Sequence, residues 1–263
     1  MSQPYEILQD KCRTLRLAET AKELPNLLRE AEAKGWTYYE FIHEILRYEL
    51  GCREKKHREK LMKWAEFPEH LTFESFRLEE QTAIGEKQLN VLKELSWIEE
   101  CFTLIMMGPT GVGKTHLSTA LGIHAIEQGY QVSFISMDHL IYVLKSKEYI
   151  NKSKIRYNRI TKSDLIIIDD VMYMAYEQQE AHLFFQFIYE MYDKAAFILT
   201  SNKGPGEWGK FLGDSTLTTA ILDRLLHRSE ILTFSEEQDS IRMKYRKTIF
   251  DPQEAEIIKK EDE

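Results

Sequence analysis

The most constraining feature of this chain is a glycine-rich octet at residues 108–115, which has the spacing G-x-x-x-x-G-K-[ST] of a phosphate-binding loop. The apolar run LIMM precedes it and the helix-like pattern THLSTALG follows it, which is the strand–loop–helix context that the motif requires. Backbone N–H groups of such a loop surround a phosphate, and the amino end of the helix adds a favourable dipole. The predicted phosphate site consists of Gly108, Pro109, Thr110, Gly111, Val112, Gly113, Lys114 and Thr115.

Two side chains of the octet have distinct predicted roles. Lys114 is the cation that we expect on the β- and γ-phosphates of ATP. Thr115 supplies the hydroxyl group that we expect on Mg²⁺. The alternative is a glycine-rich turn with an incidental lysine, and it leaves the flanking strand and helix patterns unexplained.

Apolar runs of strand length alternate with helical patterns from Phe102 onwards. The runs are FTLIMMG, QVSFIS, LIIIDDV, AAFILTS and SEILTF, and the clearest helical stretches between them are KTHLSTALGIHAIEQG and EQQEAHLFFQFIYEMYDK. Strands that alternate with helices indicate an α/β fold with a parallel sheet flanked by helices. The aromatic stripe that contains Phe184 and Phe187 is expected to pack beneath this sheet rather than to bind a cofactor.

Residues 1–67 are predicted to form a separate all-helical domain that serves DNA binding or assembly. A helix with a leucine-rich face is expected to end at Gly35. Thr37 then opens a second helix, and Glu40 completes a capping box three residues later. Residues 68–100 are predicted to be a connector, residues 101–250 the nucleotide-binding domain, and residues 251–263 a disordered tail.

Composition excludes several classes of protein. The chain is 43% hydrophobic and 30% charged, and it has neither a membrane-length apolar run nor a secretory signal, so we expect a cytoplasmic protein. Its scattered cysteines, Cys12, Cys52 and Cys101, fit a reducing compartment and do not suggest zinc. The net charge of −8 argues against coating nucleic acid with the whole surface, but it allows a local basic strip.

Polar residues follow two further strand-like runs. In LIIIDD, Asp169 suits a Mg²⁺ ligand and Asp170 suits the group that orients the attacking water. The alternative is that both acids cap the next helix. In ILTSN, Asn202 is the candidate for contact with the γ-phosphate or this water, as in P-loop ATPases with an extra strand between the two motif strands. The alternative is a turn residue before Gly204.

Three arginines towards the carboxyl end are candidates for contact with the γ-phosphate. Arg224 and Arg228 lie on a predicted helix before the last strand, where an arginine finger would reach the nucleotide of a neighbouring subunit. Arg224 is the preferred candidate, and pairing with Asp223 or another acid at the surface is the alternative. Arg242 is a candidate sensor of the γ-phosphate within the same subunit.

Two basic strips are candidate DNA contacts. A run of charge is usually a solvated helix face, and this is the alternative for both. Their segregation in an acidic chain favours contact with DNA phosphates, above all in KSKEYINKSKIRYNRITK, where tyrosines interrupt the cations. The predicted contacts are Lys145, Lys147, Lys152, Lys154, Arg156, Arg159 and Lys162 in this strip, and Arg53, Lys56 and Lys60 in CREKKHREKLMK.

In order and spacing, several segments resemble the IstB helper ATPases of bacterial insertion sequences, a family that includes the DnaC-type helicase loaders. The segments are MGPTGVGKTHLSTALG, LIIIDD, ILTSN with EWGKFLGD, AILDRLLHRSEIL and DSIRMKYRK. The amino-terminal part contributes LRLAETAKELPNLL, FIHEILRYELGCREKKHREKLMKWAEFP and TFESF. The resemblance covers nearly all of residues 8–248.

The resemblance implies a bacterial AAA+ ATPase that forms homo-oligomers on double-stranded DNA with ATP and Mg²⁺, and that serves a transposase. It implies ATP and Mg²⁺ binding by the octet, the second motif at Asp169 and Asp170, the sensor at Asn202, the finger at Arg224 and a second sensor at Arg242. This chain has Asp170 where most such ATPases have glutamate. The shorter side chain leaves open a nucleotide-switched scaffold with incidental hydrolysis. A helicase loader is the other alternative, and a small-molecule kinase is disfavoured because no lid is evident.

Overall fold

The computed structural model describes residues 3–80, 83–171, 176–209 and 215–234. The chain divides after Leu61 into two compact units, which are described separately. A helix, Tyr38–Ala65, continues through this point, and the predicted division into 1–67, 68–100 and 101–250 stays a prediction. The predicted disordered tail, residues 251–263, lies outside the described residues.

The first unit is helical throughout its described elements, as predicted. Helix α1 spans Gln3–Thr14, α2 spans Ala18–Lys34, and α3 spans Tyr38–Ala65. Gly35 ends α2 in the left-handed conformation with φ of 63°. The Thr37 hydroxyl accepts from the Glu40 N–H, while Glu40 accepts from the Thr37 N–H at 2.7 Å, which confirms the predicted capping box.

A buried carboxylate ties α2 to α3. Glu49 of α3 accepts hydrogen bonds from the N–H of Thr20 at 2.9 Å and from its hydroxyl at 3.0 Å, in the first turn of α2. Arg53, one turn along α3, donates to the same carboxylate at 3.0 Å. Although burial opposes ionisation, the hydrogen bonds from Thr20 and Arg53 outweigh it and lower the pKa of Glu49.

The second unit contains the sheet and its flanking helices. The strands are β1 Thr103–Met107, β2 Val132–Ser136, β3 Leu165–Val171, β4 Ala196–Ser201 and β5 Ser229–Thr233. The helices are α4 Glu86–Lys93, α5 Ser96–Glu99, α6 Lys114–Glu127, α7 Met137–Ser146, α8 Asn151–Ile160, α9 Gln178–Met191 and α10 Ser215–His227. Short 3₁₀ turns occur at Phe73–Ser75, Leu78–Glu80 and Pro205–Glu207.

The sheet has five parallel strands in the order β2-β3-β4-β1-β5. Each strand lies within one of the predicted apolar runs, so the predicted α/β fold is confirmed. Strand β4 lies between β1, which leads into the octet, and β3, which carries the two acids. The carboxyl ends of these three strands therefore share one edge, where ligands bind in open parallel sheets.

The core explains why the strands are almost continuously apolar. All of the residues from Leu165 to Ile168 are buried, as expected when helices cover both faces of a parallel sheet. Phe184 and Phe187 are buried beneath the sheet, as the aromatic pattern predicts. Helix α6 packs so closely that a Cβ atom at Gly122 would lie 2.8 Å from Ile167. Within the described residues, no helix is long and apolar enough to cross a bilayer.

Candidate nucleotide-binding site

The octet forms a tight loop between β1 and α6. Gly108, Gly111 and Gly113 have φ values of 147°, 90° and 104°, a region that side chains other than glycine rarely adopt. At Gly108 a Cβ atom would also lie 2.6 Å from the carbonyl oxygen of Phe234. Backbone conformation and close contact together therefore require the glycine at Gly108.

The loop presents both hydrogen-bond donors and a cation. Gly113 precedes the first turn of α6 and has no side chain to cap it, so the first amides of the helix stay available to an anion. Lys114 is only 7% exposed, and its Nζ donates to the carbonyl oxygens of Gly108 at 2.8 Å and Pro109 at 2.6 Å. The ammonium group is thus held against the loop, and the residues present fit a phosphate chain.

The predicted metal ligands lie together. The hydroxyl of Thr115, in the first turn of α6, donates a hydrogen bond to the carboxylate of Asp169. Its oxygen lies 3.1 Å from Oδ1 and 3.3 Å from Oδ2 of that carboxylate. Asp169 is 9% exposed at the end of β3. Burial raises the pKa of its carboxyl group, and the charge of Asp170 acts in the same direction, whereas hydrogen bonds from Thr200 and Thr115 and the charge of Lys114 oppose the shift. A carboxylate and a hydroxyl at this distance are oxygen donors that suit Mg²⁺.

Asp170 lies on a β-bulge. Strand β3 pairs Ile168 with Leu199 but Val171 with Ser201, so the register shifts between these pairs. Asp170 has φ of 57°, a left-handed conformation that aspartate tolerates better than most residues other than glycine. Its side chain is exposed, whereas that of Asp169 is turned into the protein towards Thr115. The bulge thus separates the two acids.

Thr200 is the residue of this site that the sequence analysis missed. It is fully buried on β4, donates its hydroxyl proton to Oδ1 of Asp169 at 2.5 Å, and accepts from the N–H of Asp170 at 3.0 Å. Its only signal in the sequence is a hydroxyl residue inside the apolar run AAFILTS. That signal does not reveal which strand lies beside β4.

Asn202 lies beside the octet. It is exposed directly after β4, and the carbonyl oxygen of the preceding Ser201 accepts from the N–H of Gly108 at 3.2 Å. The position suits the predicted contact with the terminal phosphate or the attacking water. This contact stays a prediction.

Arg224 lies near the amino ends of the strands, at the end of the sheet opposite the octet. It is in the last turn of α10, and the carbonyl oxygen of Arg228 just beyond accepts from the N–H of Thr103, at the amino end of β1. The guanidinium lies 4.8 Å from the ring centroid of Tyr189, beside a groove of about 550 Å³. Arg224 is therefore remote from the octet of its own chain. Arg242 lies outside the described residues.

Arg156 does not fit the prediction that it contacts DNA. Its side chain is 5% exposed and donates to the carbonyl oxygens of Trp64 at 2.9 Å and Phe134 at 2.5 Å. Its Nε lies 3.4 Å from a carboxylate oxygen of Glu66. Because this guanidinium faces carbonyl groups inside the protein, Arg156 is a structural residue in this fold and does not present its charge to DNA phosphates.

The other cations of the first basic strip, KSKEYINKSKIRYNRITK, differ in their surroundings. Lys145 pairs with Glu180 at 3.1 Å, Lys147 lies 3.8 Å from the ring centroid of Tyr157, and Arg159 lies 3.5 Å from Glu66. The exposed cations for which the described structure records no such contact are Lys152, Lys154 and Lys162.

Two cations of the second basic strip, CREKKHREKLMK, contact other residues of the first unit. Arg53 contacts Glu49 and the carbonyl oxygen of Arg16, and Lys56 pairs with Glu19. Its predicted contacts with DNA, including that of Lys60, stay predictions.

The parallel sheet, the loop and the group formed by Lys114, Thr115 and Asp169 define a P-loop nucleotide-binding protein. The model of the family described as IstB-like ATP binding protein matches residues 10–248. The chain belongs to this family, as the sequence motifs predict.

Relatives from two bacteria carry the names of ATP-binding proteins of insertion sequences. The IS21 protein of Pseudomonas aeruginosa is 36% identical, over 88% of this chain and 87% of its own length. The IS5376 protein of Geobacillus stearothermophilus is 33% identical, over 91% of this chain and 95% of its own length.

Solved structures share the fold of about two thirds of this chain. DnaA from Aquifex aeolicus, bound to AMPPCP, has a TM-score of 0.51 at 24% identity, over 68% of this chain and 54% of its own. DnaI has a TM-score of 0.52 at 16% identity, over 63% of this chain and 91% of its own. Both identities are below 25%, so these similarities show a shared fold alone.

Proposed function

We propose that this protein is an ATP-dependent transposition helper of bacterial insertion sequences. In this proposal it binds ATP with Mg²⁺, forms homo-oligomers on double-stranded DNA in the cytoplasm, hydrolyses ATP, and recruits or regulates its transposase. The observation that carries the proposal is the contact between Thr115 and Asp169 beside the buried Lys114. The insertion-sequence relatives support the transposition context.

Each residue of the site has a proposed task. The octet binds the phosphate chain of ATP through backbone N–H groups and Lys114, and Thr115 and Asp169 hold Mg²⁺. Bound Mg²⁺ would neutralise charge on the β- and γ-phosphates. Asp170 orients the attacking water from its exposed position on the bulge, and Asn202 contacts this water or the γ-phosphate. Arg242, outside the described residues, is the proposed second sensor.

Arg224 is proposed to act on the nucleotide of a neighbouring subunit. Its place at the sheet edge opposite the octet supports this, because the chain's own phosphate site lies at the far end of β1. An arginine in this role stabilises the charge that develops during phosphoryl transfer. Hydrolysis would then require assembly, and DNA that promotes assembly would stimulate it.

The DNA surface is proposed to centre on the exposed lysines Lys152, Lys154 and Lys162. Tyr149, which is 88% exposed, lies close to Lys152 along the chain. Lysine side chains in this arrangement bind phosphates without reading base sequence. Several subunits in one assembly would align several such surfaces along the duplex and increase the affinity.

A steady-state ATPase measurement with and without duplex DNA tests the enzymatic part of this proposal. Turnover that rises with DNA and with protein concentration is the expected result, because the complete site forms between subunits. Assembly on DNA with ATP but without turnover would instead establish a nucleotide-switched scaffold. Absence of nucleotide binding in a fluorescent-ATP titration would overturn the proposal.

A second experiment tests the partner. The ATP-bound protein on DNA is expected to capture the transposase of its own insertion sequence in a pull-down, and not the replicative helicase. Capture of the helicase alone would identify a helicase loader. The Lys114→Ala variant is the control for nucleotide dependence in both pull-downs.

A further inference from the structure

We propose that Thr200 is a positioning residue that sets the orientation of Asp169 and fixes the bulge at Asp170. This inference rests on the proposed function, since it concerns how the protein prepares its metal-binding carboxylate. Thr200 lies on β4, away from the octet in sequence, and none of the phosphate-binding or metal-binding roles above includes it.

The strand register places Thr200 alone against the bulge. Leu199 pairs with Ile168, and Ser201 pairs with Val171. Two residues of β3, Asp169 and Asp170, therefore face the single residue Thr200 of β4, which is the arrangement of a β-bulge. A bulge turns a side chain away from its regular direction, so whatever holds the bulge also determines where the two acids point.

The hydrogen bonds of Thr200 fix its role further. A hydroxyl group has one proton to donate and two lone pairs to accept with. The N–H of Asp170 donates to Thr200 Oγ1 at 3.0 Å, so an acceptor site of the hydroxyl is used there. Its proton goes to Oδ1 of Asp169 at 2.5 Å, because an ionised carboxylate can only accept. One buried hydroxyl thus connects the main chain of one acid to the side chain of the other.

Asp169 is consequently held from two sides. Thr115 donates to it from α6, and Thr200 donates to it from β4. Without Thr200, the hydroxyl donor that remains to this carboxylate among the described residues is Thr115, which is itself a proposed metal ligand. Rotation of Asp169 away from Thr115 then becomes easier, and metal binding has to restrict that rotation at a cost in affinity.

Thr200→Val tests the proposal because valine has nearly the shape of threonine but no hydroxyl group. Loss of a hydrogen bond to a charged group is expected to weaken the Mg²⁺-dependent component of ATP binding by ~10-fold. The affinity for ATP in EDTA should stay unchanged, since the phosphate loop is untouched. Thr200→Ser, which keeps the hydroxyl, should restore the Mg²⁺ effect.

A measurement without any ligand provides an independent readout. The Asp170 amide, whose acceptor is Thr200 Oγ1, is expected to exchange its hydrogen faster in Thr200→Val than in the wild type or in Thr200→Ser. Thr119→Val is the matched control, because the Thr119 hydroxyl is also buried but has no hydrogen-bond partner within the described structure. This control should leave both readouts unchanged.

The outcomes separate this inference from the proposed function. Wild-type affinity for Mg²⁺–ATP and unchanged Asp170 exchange in a folded Thr200→Val protein would overturn the positioning role while leaving ATP binding intact. A wild-type protein that binds no ATP would overturn the proposed function itself. If Thr200→Val does not fold, Thr200→Ala takes its place, and an unshifted Mg²⁺ dependence in Thr200→Ala would refute the inference.

Discussion

The hydroxyl of Thr115 donates a hydrogen bond to the carboxylate of Asp169, at 3.1 Å from Oδ1, across a separation of 54 residues in the sequence. The two residues meet because Thr115 follows β1 and Asp169 lies near the carboxyl end of β3, and parallel strands have their carboxyl ends at one edge of the sheet. The ammonium group of Lys114 lies at the same edge. This contact is the basis for locating the nucleotide site.

Lys114→Ala is expected to abolish tight ATP binding. The remaining backbone donors of the loop cannot by themselves offset the charge of a triphosphate, so the affinity should fall by at least ~100-fold, as for other buried charged contacts. A fluorescent-nucleotide titration measures this, and Lys87→Ala, an exposed lysine on α4, is the control. Retained affinity in Lys114→Ala would refute the assigned role.

Asp170→Asn should leave ATP binding nearly intact and lower turnover by ~100-fold, because asparagine cannot accept a proton from the attacking water. Asparagine tolerates the left-handed backbone at this residue, so the fold should be preserved. Single-turnover hydrolysis and nucleotide titration separate the two effects. If turnover does not change, the water is oriented by another group, and the scaffold alternative gains support.

Arg224→Ala is expected to bind ATP normally but to lose hydrolysis and assembly, since the arginine is proposed to act on a neighbouring subunit. Mixing it with Lys114→Ala chains should restore part of the activity, because an intact loop then meets an intact arginine. Arg228→Ala is the matched control, because the wild-type guanidinium of Arg228 lies 3.9 Å from Asp193. Mixed assemblies that show no recovery at any ratio would make Arg224 a structural residue.

Replacing Lys152, Lys154 and Lys162 with alanine should weaken the salt dependence of DNA binding. The slope of log K against log[salt] is about −0.9 per phosphate neutralised on duplex DNA, so it should flatten by up to about 3 per contacting subunit. Replacing the exposed lysines Lys11, Lys87 and Lys194 makes the same change in charge and is the control. An unchanged slope with assembly intact would indicate that DNA contacts the strip with Arg53, Lys56 and Lys60 instead.

Arg156→Ala should act on stability rather than on DNA affinity. It leaves the carbonyl oxygens of Trp64 and Phe134 without their guanidinium donor, so the free energy of unfolding should fall by about 3 kcal/mol. Chemical denaturation measures this loss, and Lys154→Ala, an exposed neighbour on the same helix, should change it by less than about 0.5 kcal/mol. A stable Arg156→Ala protein with weakened DNA binding would restore the original prediction.

The sequence by itself determined the five strands, the phosphate loop and the family. Local signals suffice for these: continuous apolar runs specify buried parallel strands, and glycines at fixed spacing specify a loop with positive φ. Gly35 ends α2, and the capping box of Thr37 and Glu40 begins α3, as the sequence predicts. Such caps depend only on neighbours along the chain.

Only the tertiary structure decided what individual polar side chains contact. Arg156 belongs to a basic run, yet the packing of α8 turns it inward to carbonyl groups that lie far away in sequence. Thr200 was hidden in an apolar run because its importance comes from the bulge on the neighbouring strand. Charge and periodicity describe a residue and its helix face, whereas burial and hydrogen bonding depend on which elements pack together, and that is a property of the whole fold.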